Sequence, residues 1–368
     1  MLVVNAGSST LKLRLLSGGD EVVAAAEIEG PDRLDSSAVR SFLAGLDGID
    51  AVGHRVVHGG ATYRHPLVVD DDVIAAVDAA TPLAPLHQPP ALAALRVVGE
   101  ALPHLPAVAC FDTAFHATLP VAAATYALPA EWRDRWGLRR YGFHGLSHAY
   151  AARRAAELLG RAPTGLRMVT CHLGSGASLC AVVDGRSLDT TMGFTPLEGL
   201  VMATRSGSVD PGLLLWLLRH SGLSVDEVAS GLEERSGLAG LAGGTGDMRE
   251  VLAAVARGEN AAVLALDVWL HRLRREIGAM AAAAGGLDVL VFTGGVGEHQ
   301  PEIRAATAAG LAFLGVGVDE ARNEAGIGDT DVTAAGAAVR TLVITAREDL
   351  EIARQTRSAL QGVRGDVQ

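Results

Sequence analysis

The chain has 368 residues, nearly half of them apolar and a fifth charged, which allows a packed core in about two domains and argues against global disorder. Forty-two acidic against 31 basic residues leave a formal charge of −11. That balance speaks against a surface built to grip nucleic acid or anionic membrane, yet a few arginines in a cleft can still hold an anionic substrate. Three cysteines, Cys110, Cys171 and Cys180, are too few for a disulfide framework. No basic-then-apolar leader opens the chain and no apolar run reaches membrane-spanning length, so a reduced, cytoplasmic setting is expected.

Leu2–Asn5 and Leu11–Leu16 read as strands joined by a tight turn at Gly7-Ser8-Ser9, and Ala51–Val57 and Ala107–Phe111 as further strands. Four prolines between Pro82 and Pro90 make that stretch an extended loop or a helix start. Ser147 caps a predicted helix over Ala149–Leu159, stopped by Gly160. A second block then repeats the opening: Met168–His172, a break at Gly174-Ser175-Gly176, Ser178–Val183, and a hairpin turn at Asp184-Gly185. Asp210-Pro211 and the Ser224/Glu227 capping box start helices, and Ala261–Ala284 is a long amphipathic run. Strand Val289–Phe292 runs into Gly294-Gly295-Val296-Gly297, and Thr341–Ile344 precedes a last helix near Glu348–Leu360. Two blocks that each open strand, Gly/Ser turn, strand indicate an internal duplication: an α/β protein of two mixed-sheet domains with a cleft between them.

A turn without large side chains lets backbone N–H groups converge on phosphate oxygens. Three such turns follow strands, at Gly7–Ser9, Gly174–Gly176 and Gly294–Gly297. There is no G-x-x-x-x-G-K-[ST] loop and no G-x-G-x-x-G opening a helix, so neither a P-loop nor a Rossmann dinucleotide site is expected. His54 and His58 lie in a strand-like run, where an i, i+4 spacing separates the rings by roughly 13 Å and does not suit one zinc ion. Arg55 in that apolar run needs a partner or an anionic ligand, and Arg205 sits in a small-residue loop. Asp112 ends a strand, where α/β proteins often place a functional carboxylate.

The blocks Asn5–Lys12, Gly53–Gly60, Leu83–Pro90, Phe111–His116, Tyr141–Gly145, Cys171–Gly176, Met192–Gly199, Thr204–Pro211 and Phe292–Glu298 together resemble the acetate kinase family, within the acetate and sugar kinase/Hsp70/actin superfamily. The resemblance implies two actin-like ATPase (ribonuclease H-like) domains with mixed sheets flanked by helices and the active site in the interdomain cleft. It places the acetate-side domain at 1–148 plus about 349–368 and the nucleotide-binding domain at 149–348. It implies ATP + acetate ⇌ ADP + acetyl phosphate by direct in-line transfer, with Mg2+ or Mn2+, in a homodimer. Arg55, Asp112, His144 and Arg205 match its catalytic positions. Arg55, His87, Val57, Leu86, Phe143 and Pro196 match its acetate-binding positions, and Asn5 and Glu348 its magnesium-site positions. Lys12 stands in the first motif, near the nucleotide's anionic charge. His172, Leu173, Gly174, Ser175, Gly176, Asp247, Met248, Arg249, Gly295, Val296, Gly297, Glu298 and His299 match the nucleotide-binding stretches. Ser175, His299 and Arg347 stand where members often carry Asn. Alternatives are a propionate, butyrate or pyrophosphate-using relative, and an actin-like ATP-binding module without turnover.

Overall fold

The structure, a computed structural model, describes residues 1–7, 10–29, 36–85 and 87–365. The chain divides into two compact units. Unit 1 holds Met1–Ala117, Phe143–Tyr150 and the chain from Arg347; unit 2 holds Thr118–Gly142 and Ala151–Ala346.

In unit 1, β1 (Leu2–Ala6), β2 (Thr10–Leu16), β3 (Val22–Glu29), β4 (Val52–Val56), β5 (Leu67–Val68) and β6 (Ala107–Phe111) form one sheet in the order β3-β2-β1-β4-β6-β5. β1, β4 and β6 run parallel; the other pairings are antiparallel. Strand alternation sends Leu2, Val4, Leu13 and Val52 to one face, against the helices Ser36–Ala44 and Gln88–Ala101. Val3, Val108 and Cys110 take the other face, against Ile352 and Ala353 of the C-terminal helix Glu348–Gly365. The Pro89-Pro90 pair sits in the first turn of the helix Gln88–Ala101, where the missing N–H groups are not needed.

In unit 2, β7 (Arg167–Leu173), β8 (Ala177–Val183), β9 (Arg186–Thr190), β10 (Val289–Thr293), β11 (Thr330–Asp331) and β12 (Arg340–Val343) form a sheet in the order β11-β12-β10-β7-β8-β9. β7, β10 and β12 are parallel, and the rest pair antiparallel. Each unit therefore has an opening three-strand meander, two added parallel strands and a short antiparallel edge strand, so the expected duplication is visible in the topology. The β8–β9 hairpin turns on Asp184 and Gly185, at φ +54° and +74°, as a type I′ turn requires.

Three features differ from the sequence expectations. Thr118–Gly142, expected in the first domain, belongs to unit 2 because its polar side chains bond there. Thr118 Oγ1 donates to the Ser187 carbonyl, Tyr126 to Glu198, and Arg140 to Glu198 and to the carbonyls of Thr190, Thr191 and Met192. The helix predicted from Ala149 already starts at Gly145. Gly294–Gly297 is not a turn but opens a short helix, Gly294–His299.

A Cβ at Gly53 would lie 2.5 Å from Thr356 Oγ1 and 2.7 Å from Ile352 Cγ2, so this glycine lets the C-terminal helix approach the sheet. Gly53→Ala is expected to destabilise the fold by about 1–3 kcal/mol through overpacking. A fall in the thermal unfolding midpoint checks this; an unchanged midpoint contradicts it.

Candidate active site

The parallel register of unit 1 brings Asn5 beside Arg55, and Asp112 directly follows β6, which pairs with the strand of Arg55. Three polar side chains thus gather at the C-terminal ends of neighbouring parallel strands. The Arg55 Nε and Nη2 groups both donate to Asp112 Oδ2, at 3.0 and 2.6 Å. Nη1 donates to Asn5 Oδ1 at 3.3 Å and to the Ala6 carbonyl at 3.1 Å. Asn5 Nδ2 in turn donates to Glu348 Oε2 at 2.8 Å. Four of the five guanidinium N–H groups are thus committed, and one on Nη2 remains. Nε and Nη2 thus close on one oxygen of Asp112.

The Asp112 side chain is 1 % exposed, and its Oδ1 has no hydrogen bond of normal geometry among the described residues. Burial pushes its pKa up, Arg55 and the Leu146 backbone N–H pull it down, and Glu348 adds to the rise; the balance lies above the usual carboxylate range. Burial opposes the Arg55 charge as well, but Asp112 and Glu348 outweigh it and raise the Arg55 pKa. The close approach of helix Gly145–Leu158 depends on Gly145. Its N–H donates to the Asp112 carbonyl at 2.9 Å, and a Cβ there would collide with that oxygen. His144, just before this helix, has φ +56°, a left-handed conformation that a non-glycine residue adopts at a cost.

Val57 and Phe143 are buried in the same unit, and the Phe143 ring meets His58 edge-on at 5.5 Å. His58 Nδ1 accepts the Gly60 N–H at 2.8 Å, which requires a ring nitrogen without its proton. Gln88, for which the sequence reading found no role, holds this loop. Its Oε1 accepts the His58 N–H, and its Nε2 donates to the carbonyls of His58 and Val77. His87 precedes it as the N-cap residue of helix Gln88–Ala101. Leu86 and the Ser8-Ser9 part of the first turn lie outside the described residues. Lys12 is half-exposed on β2 and faces Glu27 at 3.7 Å.

Unit 2 holds the remaining groups. Arg205 donates to the Pro196 carbonyl at 2.8 Å, with no carboxylate in hydrogen-bond contact among the described residues. Burial lowers its pKa, with Glu233 opposing, although a guanidinium stays charged. A cavity of about 590 Å³ opens at the ends of β7 and β10. Gly174, Ser175, Asp247, Met248, Arg249, Gly295, Val296 and His299, all expected at the nucleotide, line it, and Ala203, Leu238, Gly246, Trp269 and Gln300 complete it. Asp247 caps the helix Met248–Ala256, and hydrogen bonds from Arg249 hold its carboxyl below the usual range.

The other expected nucleotide residues do not line this cavity. His172 and Gly176 flank its Gly174-Ser175 turn. Leu173 and Gly297 are buried. Glu298 accepts the backbone N–H groups of Gly294 and Ala346, tying together the ends of β10 and β12.

A family model, the acetokinase family, matches residues 32–354. The chain belongs to the acetokinase family. An acetate kinase from Synechococcus sp. is 51 % identical over 322 residues, covering 88 % of this chain and 79 % of that protein. One from Deinococcus deserti is 46 % identical over 395 residues, covering 99 % of each. Among solved structures, Porphyromonas gingivalis acetate kinase superposes with a TM-score of 0.89 at 36 % identity, covering 98 % of this chain and 99 % of that one. A propionate kinase from Francisella tularensis gives 0.89 at 35 %, covering 97 % and 98 %. Of the departures noted in the sequence, Ser175 and His299 line the cavity, whereas Arg347 is engaged by Asp349 at 2.9 Å.

Burial lowers the pKa of His54 from 6.5 to about 3 and that of His58 to about 4. The unfolded chain therefore takes up protons that the folded chain refuses. Stability is full above pH 6.5 and should drain as the pH falls from about 6.5 towards 4. Urea midpoints measured between about pH 7 and 4.5 should decline, less steeply in His54→Gln; equal slopes contradict the assignment.

Proposed function

We propose that this protein is an acetate kinase, transferring a phosphoryl group reversibly between ATP and acetate to give ADP and acetyl phosphate. The observation that carries this reading is the hydrogen-bonded cluster of Asn5, Arg55, Asp112 and Glu348, residues that the family resemblance assigns to phosphoryl transfer. The match over residues 32–354 supports it. A cavity of about 590 Å³ at the three nucleotide stretches favours a nucleotide over pyrophosphate as donor.

Phosphoryl transfer to a carboxylate joins two anions, so it calls for positioning and charge neutralisation rather than a covalent intermediate. Acetate is already ionised near neutral pH and needs no general base. The remaining Arg55 N–H orients its carboxylate, Val57, Leu86, Phe143 and Pro196 are assigned to its methyl group, and His87 is assigned to substrate binding. His144 donates to a phosphoryl oxygen, and Arg205, lacking a carboxylate partner, neutralises charge that develops on the phosphoryl group. Transfer is direct and in line.

A hard divalent cation fits the oxygen-rich set of Asp112, Asn5 and Glu348, because the buried Asp112 Oδ1 has no well-formed hydrogen bond. Magnesium held there would offset phosphate charge.

Propionate remains a second candidate substrate, since the similar Francisella tularensis structure is of a propionate kinase and one methylene shifts discrimination by only ~1–3 kcal/mol. Comparing kcat/KM for the two acids decides between them.

The chain also acts as a homodimer. Helix Pro211–His220 buries none of its residues, although Leu213, Leu215, Trp216 and Leu218 are 39–56 % exposed. It works in the cytoplasm, where its three buried cysteines, none in a disulfide, stay reduced. No helix among the described residues is long and apolar enough to cross a membrane.

A hydroxamate assay for acetyl phosphate with ATP, magnesium and acetate tests the activity; no product from the wild type would sink it. Arg205→Ala and Asp112→Asn should each lower kcat on the order of 10²- to 10³-fold. Trp216→Glu should shift the sedimenting species to the monomer mass, and an unchanged dimer would show that this helix is not the interface.

A further inference from the structure

A second cavity in unit 2, of about 330 Å³, lies against the loop that carries Arg205 and is separate in its lining from the nucleotide cavity. Two arginines line it, Arg235 and Arg272, and no carboxylate does. In a chain of net charge −11 such a pocket is cationic against the general field. Arg272, on the helix Asn260–Ala283, makes no hydrogen bond or ion pair among the described residues. Arg235 gives one hydrogen bond, to the Glu227 carbonyl at 3.1 Å, and keeps its other donors. Of the three serines in the lining, Ser206 donates its hydroxyl to the Gly207 carbonyl and Ser236 to the Gly231 carbonyl, which leaves Ser208 as the hydroxyl donor. Ser208 Oγ accepts the Gly199 N–H, so its own proton remains available. Val201, Val209, Leu241 and Val268 supply an apolar wall.

We infer that this pocket binds a small di- or tricarboxylate as an effector. Two separated guanidinium groups suit two carboxylates, and the apolar wall suits the short carbon chain between them, which inorganic phosphate lacks. The pocket is coupled to the Arg205 loop by short backbone links. Ser236 N–H donates to the Thr204 carbonyl, Ser206 N–H to Leu232, and Met202 N–H to the Arg205 carbonyl. Gly237, at φ +63°, packs so closely that a Cβ would lie 2.9 Å from the Arg205 carbonyl oxygen. A ligand bridging Ser208, on the Arg205 loop, and Arg235, next to Ser236 on the segment bonded to that loop, contacts both sides and so biases where Arg205 sits. The binding site stands independently of the proposed reaction; the effect on turnover rests on the reading of Arg205 given above.

The test is calorimetric titration of the full chain with citrate and with succinate in magnesium-free buffer at saturating ADP, with inorganic phosphate as the comparison. One carboxylate ligand per chain is expected, bound more tightly than phosphate. Arg272→Gln and Arg235→Gln should each weaken it at least about tenfold, roughly the loss of one charge-assisted hydrogen-bonding pair. Equal affinity in wild type and both variants overturns the site, and phosphate binding as tightly as citrate overturns the carboxylate assignment. Initial rates at fixed free magnesium then read the coupling. Citrate should change kcat in the wild type and not in Arg272→Gln; no effect on the wild type overturns the effector role. Absence of any acetyl phosphate would count against the proposed reaction alone, since the titration does not depend on it.

Discussion

The buried pair of Arg55 and Asp112 governs the chemistry of unit 1. A guanidinium and a carboxylate removed from water at the ends of adjacent strands hold one another, since either left alone would be an uncompensated buried charge. Arg55 grips a single oxygen of Asp112, and the second oxygen is buried with no hydrogen bond of normal geometry among the described residues. Asn5 extends the network to Glu348 at the first turn of the C-terminal helix. The pair therefore fixes the orientation of the Asp112 carboxylate and, through Asn5, ties in the helix that covers the sheet.

Close backbone approach is the companion constraint. Gly53 lets the C-terminal helix lie against the strand of Arg55, and Gly145 lets the helix that follows His144 begin against the Asp112 carbonyl. Gln88 secures the loop after the Arg55 strand by bonding its backbone from both ends of one amide. Functional side chains in unit 1 are thus held by short, directional contacts from rigid elements, and the left-handed backbone at His144 is the one strained residue among them.

Unit 2 repeats the sheet topology but not the chemistry. Where unit 1 crowds charged side chains at its strand ends, unit 2 offers a roomy cavity walled by small residues and backbone, with an arginine loop nearby that has no carboxylate partner. The same arrangement of strands thus carries a buried charged cluster in one copy and a roomy cavity in the other. This is the usual freedom of a duplicated scaffold whose sites sit at strand ends.

Much of this was legible in the linear chain. Short continuous apolar runs and Gly/Ser turns announced the core strands and their repetition, because burial on both sheet faces leaves such runs in sequence. The ordered motif blocks pointed to the family that the comparisons show. Two-residue strands such as β5 and β11, and polar β9, left no such pattern, since their pairing is decided by neighbours rather than by their own side chains. The placing of Thr118–Gly142 with unit 2 was likewise hidden, because it depends on Arg140 and Tyr126 finding Glu198, far along the chain. Tertiary structure alone decided that the Arg55 fork closes on Asp112, that Gln88 is a clamp, and that Trp269 and Leu238 wall the nucleotide cavity. Each depends on distances between residues remote in sequence, which composition and spacing do not encode.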